Sequence, residues 1–168
     1  ATVNLAAVFE TALRELLGGR PRVAIHHRDG YEAAPALVPP PERRGLILID
    51  PPYELQRDEF ALIESCLRRV FERWPQAVVA LWYPIKQRQT LRAPLRRLSA
   101  LPAKQALTLE LLVQADDSPL RLNGSGMLVL NPPWRFAERA GDILAALGRR
   151  LCRPDGGVQS SWLKQEAR

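Results

Sequence analysis

The tetrapeptide Asp50-Pro51-Pro52-Tyr53 carries the strongest chemical signal in the sequence. Two consecutive prolines fix two φ angles and remove two backbone donors, so the turn is rigid and its carbonyls are free to face a cleft. A carboxylate beside a fixed carbonyl suits the two hydrogen bonds of an exocyclic NH2 group, and a tyrosine ring offers a stacking surface for a planar base. The alternative is a proline-rich strand exit whose aspartate caps a helix. The apolar run Gly45 to Ile49 just before the motif favours the functional interpretation.

A second motif of the same kind, Asn131-Pro132-Pro133-Trp134, follows the apolar run Met127 to Leu130. The direction of the strand decides its role. If this run is the antiparallel member of a hairpin, its carboxyl end lies at the rim of the sheet opposite to that of Gly45 to Ile49, away from any cleft there. We therefore predict a structural role for Asn131 to Trp134.

Other short motifs carry weaker signals. Asp29-Gly30 follows a predicted strand, where an aspartate can accept from an adenine amino group while glycine admits a ligand close to the backbone. From the residues alone, a plain turn is the favoured interpretation of this pair. The segment Asn123 to Gly126 precedes a strand and does not open a helix, so we predict a hairpin turn and not a phosphate loop. His26 and His27 are adjacent, with no Cys or Glu at ligand spacing, and no metal site is predicted.

These motifs sit in an alternation of helices and apolar strands, which predicts one α/β domain with a mostly parallel sheet and a C-terminal antiparallel hairpin at one edge. Gly45 to Ile49 is predicted to be a central strand covered on both faces. Cys66 falls on the core face of a predicted helix and is expected to be a buried, inert thiol. The predicted helices are Thr2 to Leu17, Asp58 to Trp74, Gln87 to Leu98 with a bend near Pro94, and Arg135 to Leu151; the other strands are Val23 to His26, Ala77 to Trp82, Leu107 to Val113 and Met127 to Leu130.

Composition narrows the class of protein. Of 168 residues, 46% are hydrophobic and 25% charged, which is the balance of a folded globular domain. No apolar run approaches the roughly 20 residues of a membrane-spanning helix, and no secretory signal opens the chain. Two cysteines are too few for a disulfide framework, so a cytoplasmic location is expected. The net charge of +6 rests almost wholly on arginine, which fits either a nucleic-acid partner or GC-rich coding.

Long strings of the sequence resemble a known family. The stretch Arg43 to Glu54 resembles the motif IV region of class I, S-adenosylmethionine-dependent amino-methyltransferases, and more narrowly the bacterial family that methylates N6 of an adenine in 23S ribosomal RNA. Three later segments are similar to the same family: Ala80 to Pro84, Gly124 to Trp134 and Ser160 to Trp162. The similarity covers nearly the whole chain.

The resemblance implies a Rossmann-like class I fold, S-adenosyl-L-methionine as cofactor and naked or protein-poor 23S rRNA as partner, with no membrane and no metal. It implies catalysis by Asp50, which also contacts the cofactor, and cofactor contacts by Asp29 and Gly30. Substrate contacts fall to Pro51, Pro52 and Tyr53. For Asp29 this reverses the interpretation from the residues alone. Basic helix faces are candidates for phosphate contacts, with a solvated surface as the equal alternative: Arg68, Arg69, Arg88, Arg92, Arg96 and Arg97.

The resemblance reaches only the back half of the family's domain. A glycine-rich cofactor loop and an acidic residue for the ribose have no counterpart in residues 1–168. We therefore expect the first strands of the sheet to be missing and the chain to represent the C-terminal part of one methyltransferase domain, with weak cofactor binding and no turnover by itself. Alternatives are a DNA adenine methyltransferase, a protein glutamine methyltransferase and a non-catalytic RNA-binding module; no feature specifies an oligomeric state.

Overall fold

A computed structural model describes residues 2–4, 13–21, 23–42, 44–53, 56–117 and 119–165. The strands are β1 (Thr2–Asn4), β2 (Ile25–His27), β3 (Leu46–Ile49), β4 (Val78–Ile85), β5 (Ala106–Leu112), β6 (Gly124–Leu130) and β7 (Gly157–Lys164). The helices are α1 (Gly30–Leu37), α2 (Gln56–Arg73), α3 (Arg88–Ser99) and α4 (Phe136–Leu151). Residues 13–17 are also helical. None of these described helices is long and apolar enough to cross a membrane.

Five of the described strands form one mixed sheet in the order β3-β4-β6-β5-β7, and β1 and β2 form a separate parallel pair. Within the five-stranded sheet only β3 and β4 pair in parallel; the other three pairings are antiparallel. The prediction of a mostly parallel sheet is therefore wrong for the pairings, although β3, β4 and β5 run in the same direction. The antiparallel hairpin of β5 and β6 is confirmed, but β6 inserts between β4 and β5, and β7, which was not predicted, forms that edge.

The core lies between the sheet and the pair α2 and α3. Helix α2 presents apolar residues at helical spacing, among them Phe60, Ile63 and Leu67, and all three are buried. They pack against alternate residues of β4, including Leu81 and Tyr83, since side chains of a strand alternate between faces. Helix α4 covers the other face at β5 and β7. The predicted α2 and the buried Cys66 are confirmed.

Strand β3 is an edge strand of the described sheet, which corrects the prediction of a central strand covered on both faces. Leu46 and Leu48 are 63% and 64% exposed, whereas Ile47 and Ile49 face the core. Among the described strands it pairs only with β4, and the face that carries Leu46 and Leu48 is exposed. An uninterrupted apolar run therefore did not distinguish a strand covered on both faces from one covered on a single face.

The N-terminal prediction is corrected in part. Thr2–Asn4 form β1, which pairs with β2, whereas a helix was predicted from Thr2 to Leu17. The helical state of residues 13–17 is confirmed, and residues 5–12 lie outside the described part of the chain. The strand predicted at Val23 to His26 is Ile25–His27, and it is not buried, because β1 is its only described partner.

Strand β4 is longer than predicted, because it continues through Tyr83 and Pro84 to Ile85. The hairpin turn predicted at Asn123 to Gly126 is also wrong, since Gly124 opens β6 and pairs with Ile85. In these strands glycine makes room for neighbours and does not turn the chain. Helix α3 is continuous and contains Pro94 within it.

Helix α4 is confirmed at nearly its predicted bounds, but it buries no residue fully. The apolar residues predicted to share one of its faces include Ile143, Leu147 and Leu151, and all three are exposed. The helix is close enough to the sheet that a side chain at Gly148 would strike Val158 of β7. The helix therefore approaches the sheet closely at Gly148, and much of the apolar stripe remains at the surface.

Candidate functional site

Asp50 lies at the rim of the sheet where β3 ends. The parallel register of β3 and β4 aligns Ile49 with Leu81, so the carboxylate stands just beyond the end of β3, beside a strand that continues four residues further to Ile85. Its side chain is exposed and makes no hydrogen bond with any residue the structure describes, whereas the ring of Pro51 is buried. The rim of parallel strands is where sheets of this kind bind ligands. The Asp50 carboxylate, a hydrogen-bond acceptor, is therefore exposed to solvent, while the buried Pro51 ring fixes the backbone next to it.

Tyr53 is fixed to β4 at Trp82. Its hydroxyl donates to the backbone carbonyl of Trp82 at 2.7 Å, and its ring packs against Phe60 and Trp82 with centroid separations of 5.6 and 5.9 Å. Burial, with the nearby charges of Glu59 and Asp50, raises the pKa of the phenol. The residue has φ of 53°, in the left-handed region that a bulky side chain seldom adopts. The hydrogen bond and the ring contacts therefore hold the turn in this conformation, and they restrain the half-buried ring of Tyr53.

Asp29 is the N-cap of α1. Its Oδ1 accepts from the backbone N–H of Tyr31 at 2.7 Å and from that of Glu32 at 3.4 Å. Gly30 is the first residue of the helix, so the pair does not form the isolated turn favoured from the residues alone. The second carboxylate oxygen, Oδ2, has no partner among the described residues. One oxygen of Asp29 thus holds the helix while the other stays available.

The segments that carry Asp29 and Asp50 converge on the same part of α2. Tyr31, two residues after Asp29, donates its hydroxyl to Glu59, and Tyr53, three residues after Asp50, packs on the adjacent Phe60. The electrostatics agree, because burial and Glu59, together with the nearby Tyr53, raise the pKa of the Tyr31 phenol. Both carboxylates therefore lie on the same side of the molecule, as the proposed adenine and amine contacts require.

Asn131 lies at the opposite rim and holds the fold together. Its side-chain oxygen accepts from the backbone N–H of Lys104 at 2.8 Å, and its amide donates to the carbonyls of Pro75 and Ala77 at 3.0 Å each. Because β6 runs antiparallel to β4, its carboxyl end meets the start of β4 and not its end. The structural role predicted for Asn131 to Trp134 is confirmed for Asn131, whereas Trp134 is 87% exposed.

One polar cluster beside the site was not anticipated from the sequence. The buried hydroxyl of Tyr83 donates to Glu110 Oε1 at 2.9 Å, and Arg88 Nε lies 2.9 Å from Glu110 Oε2. Burial, followed by the carboxylate of Glu110, raises the pKa of Tyr83. The signal that points to this cluster is a lone acid inside the apolar strand β5, because buried charges are normally paired.

No group of three or more His, Cys, Asp or Glu side chains within the described ranges is arranged to hold a metal ion. The polar chemistry at the rim of β3 and β4 is therefore that of hydrogen-bond acceptors, an aromatic ring and, from α3, a guanidinium group. Such a set fits a planar ligand bearing an amino group and a negatively charged backbone.

Comparison with a solved structure defines the class of fold. The crystal structure of protein LPL1258 from Legionella pneumophila superposes with a TM-score of 0.83 at 25% sequence identity, and the match covers 95% of this chain and 58% of that one. The fold is therefore α/β with a five-stranded mixed sheet, consistent with a methyltransferase-like architecture.

The sequence comparisons define the family. Residues 5–164 match the family described as ribosomal RNA large subunit methyltransferase D, RlmJ, and the chain belongs to that family. It is 35% identical over 146 residues to ribosomal RNA large subunit methyltransferase J of Escherichia coli K12 and 35% identical over 150 residues to the Haemophilus influenzae protein of that name. These matches cover 86% and 89% of this chain but 52% of each relative, so the chain spans about half the length of either. The family resemblance seen in the sequence is confirmed.

Proposed function

We propose that the intact protein transfers a methyl group from S-adenosylmethionine to N6 of an adenine in 23S rRNA. The observation that carries this proposal is the exposed Asp50 carboxylate at the end of β3, which makes no hydrogen bond to any described residue and is followed by a turn fixed by two prolines and Tyr53. Membership of a family named for large-subunit ribosomal RNA methyltransferases supports it. Because the chain covers about half of its relatives, the activity is assigned to the intact protein.

Asp29, Gly30 and Asp50 are the residues proposed to hold the cofactor. When bound, S-adenosylmethionine supplies a methyl group carried on a positively charged sulfur. The free Oδ2 of Asp29 fits the amino group of an adenine ring, while Oδ1 remains engaged at the start of α1. Gly30 has no side chain, so a ligand can approach the backbone there. The Asp50 carboxylate adds a negative charge that favours a cationic ligand nearby.

The Asp50 carboxylate and the Pro51 carbonyl are proposed to accept the two hydrogens of the target amino group. In adenine the lone pair of this nitrogen is delocalised into the ring. Two acceptors at fixed positions restrain the amino group and favour localisation of the lone pair on nitrogen, which makes it a better nucleophile. Such preorganised acceptors supply rate through position and electrostatics, without a strong base. The exposed carboxylate can take up the proton that the nitrogen releases.

Pro52 and Tyr53 complete the proposed binding surface for the base. The phenol hydroxyl is committed to the Trp82 carbonyl, which leaves the ring as the part of Tyr53 that can contact a ligand. An adenine must leave its stack or loop to reach this position, and an aromatic face replaces part of the stacking that is lost. The rigid attachment to β4 reduces the entropy lost on binding.

The test is methyl transfer by the intact protein to unmodified 23S rRNA, with radiolabelled S-adenosylmethionine. Asp50→Ala is expected to lower kcat by at least about a hundredfold, as loss of one preorganised polar group does in other enzymes. Its stability should change by less than about 0.5 kcal/mol, since Asp50 is exposed and has no partner among the residues that the structure describes. Asn131→Ala is the matched control from the second motif, expected to lower stability and keep activity below its melting temperature. An Asp50→Ala protein with wild-type turnover would exclude the proposal.

Two further measurements separate the competing functions. Duplex DNA offered in place of rRNA tests a DNA adenine methyltransferase, which would modify the duplex in preference to rRNA. Calorimetric titration with S-adenosylmethionine tests a non-catalytic RNA-binding module, which would give no binding heat. Under the present proposal the intact protein binds the cofactor and prefers rRNA.

A further inference from the structure

The cluster of Arg88, Glu110 and Tyr83 is the feature of the structure that the proposed chemistry does not use. Glu110 lies in the middle of β5, with a side chain only 12% exposed, between two polar partners. In the register of the sheet Glu110 pairs with Gly126 of β6, and Gly126 pairs in turn with Tyr83 of β4. Because Gly126 has no side chain, the Tyr83 ring spans the intervening strand and its hydroxyl reaches the carboxylate. A buried acid is thus held in one position by a buried phenol.

The consequence of this arrangement is the fixed position of Arg88. Its Nε lies 2.9 Å from Glu110 Oε2, and its backbone N–H donates to Asp116 Oδ2 at 3.0 Å. Within the described part of the chain its terminal nitrogens, Nη1 and Nη2, have no protein partner, and the side chain is 33% exposed. The contact of Nε with Glu110 is an ion pair without hydrogen-bond geometry. An arginine that is paired at its inner edge and open at its outer edge is placed to receive an anion.

Arg88 also stands at the same rim as Asp50. It opens α3, three residues after β4 ends, and β4 runs parallel to β3, which leads into Asp50. Contacts also connect the two places. The Tyr53 hydroxyl donates to the carbonyl of Trp82, and the next residue, Tyr83, shares the Glu110 carboxylate with Arg88. Other basic helix residues are differently engaged: Arg68 and Arg97 both pair with Glu64.

We infer that the outer guanidinium edge of Arg88 binds a phosphate of the RNA strand that carries the target base. The guanidinium group of Arg88 is a planar, permanently charged donor, which suits a phosphate. It lies at the same rim as Asp50, the proposed acceptor for a base amine, so an RNA phosphate is the favoured ligand. Glu110 and Tyr83 are positioning residues that orient Arg88 without touching RNA. This inference rests on the proposed function and adds a residue that grips the substrate backbone while Asp50 and Tyr53 receive the base.

The test measures binding of the intact protein to unmodified 23S rRNA across a range of KCl concentrations. Arg88→Ala is expected to weaken binding about tenfold and to reduce the slope of log K against log salt by about 0.7–0.9, the contribution of one phosphate contact. Affinity for S-adenosylmethionine should not change. Arg139→Ala is the matched control, because Arg139 is an exposed arginine near the opposite rim, on α4. That substitution should leave both affinity and slope unchanged.

Removing Arg88 alone leaves Glu110 as an uncompensated buried charge, which can itself unfold the protein. The double variant Arg88→Ala/Glu110→Gln removes the stranded charge and keeps an acceptor for the Tyr83 hydroxyl, so it should fold and still show the reduced slope. Glu110→Gln alone frees the guanidinium and should weaken RNA binding by less than Arg88→Ala.

The outcomes distinguish this inference from the proposed function. A folded double variant with the wild-type slope, or one altered only in cofactor affinity, overturns the phosphate contact while leaving methyl transfer by Asp50 intact. A wild-type protein that neither binds nor methylates rRNA overturns the proposed function, and the inference about Arg88 with it.

Discussion

Replacing Gly126 with alanine should disrupt the centre of the sheet. A Cβ at this position would lie 2.5 Å from the Tyr83 hydroxyl oxygen and closer still to ring carbons Cζ and Cε2. Carbon atoms in contact rest about 3.5–4.0 Å apart, so the ring must retreat by roughly an ångström or more. Tyr83 is fully buried, and its 2.9 Å hydrogen bond to Glu110 cannot survive such a movement.

The magnitude follows from these two losses. Overpacking a close-packed core costs about 1–3 kcal/mol, and losing a hydrogen bond to a charged group costs about 1.5–3 kcal/mol. Removing a strand glycine returns about 0.5 kcal/mol. The net loss in free energy of unfolding is therefore about 2–5.5 kcal/mol, which lowers the melting temperature of a domain of this size by roughly 4–22 °C.

Calorimetry or denaturant unfolding monitored by circular dichroism measures this loss. The matched control is Gly141→Ala, since a Cβ there meets nothing within 4 Å and alanine favours a helix interior. That substitution should be neutral or stabilising by up to about 1 kcal/mol. Placing Gly126→Ala in a Tyr83→Phe background separates the steric part from the hydrogen bond. If Gly126→Ala melts with the wild-type protein, the packing of the Tyr83 ring over β6 is refuted.

Two predictions concern titratable groups. The pKa is raised, chiefly by burial, for all three tyrosines of the chain, Tyr31, Tyr53 and Tyr83. In the folded protein none of them should therefore ionise near the ordinary value of about 10. The unfolded chain releases these protons above about pH 10 while the folded chain retains them, so stability should fall as pH rises beyond that point; tyrosinate absorbance appearing before unfolding would contradict this. Burial raises the pKa of the Cys66 thiol to about 11, whereas Cys152 is only partly buried. Alkylation of the native protein at mildly alkaline pH should therefore modify Cys152 alone, with Cys66 reacting only in denaturant. Mass spectrometry counts the labels, and rapid labelling of Cys66 in the native protein would count against its burial.

Local sequence patterns predicted the helices and strands better than they predicted which strands lie side by side. Helix α2 followed from apolar residues at helical spacing, and the structure places it at Gln56–Arg73. The order of the sheet did not follow, because hairpin connectivity is the same whether β6 lies outside β5 or between β4 and β5. The exposed Leu46 and Leu48 make the same point. Burial depends on what covers a strand, which its own residues do not specify.

Site residues could be predicted where their role depends on adjacent residues in the sequence. They could not be predicted where the role depends on contacts between separate strands. Asp50 stood out because its neighbours are rigid. Glu110 did not, because its partners lie 27 residues upstream at Tyr83 and on α3 at Arg88. Asp29 falls between these cases. Its role as a helix cap is local, yet the residues alone favoured a plain turn, and it was the family resemblance that assigned Asp29 a ligand contact.

The two proline-proline motifs show that strand direction assigns the roles. In the first motif the left-handed residue is the fourth, Tyr53, and the leading aspartate stays free. In the second it is the first, Asn131, whose amide is consumed by backbone groups of neighbouring segments. Both follow apolar strands, but only β3 runs parallel to β4 and ends at the rim where Arg88 also stands. Exchanging the asparagine and aspartate between the motifs would therefore not exchange their functions, because each side chain would still face its own rim.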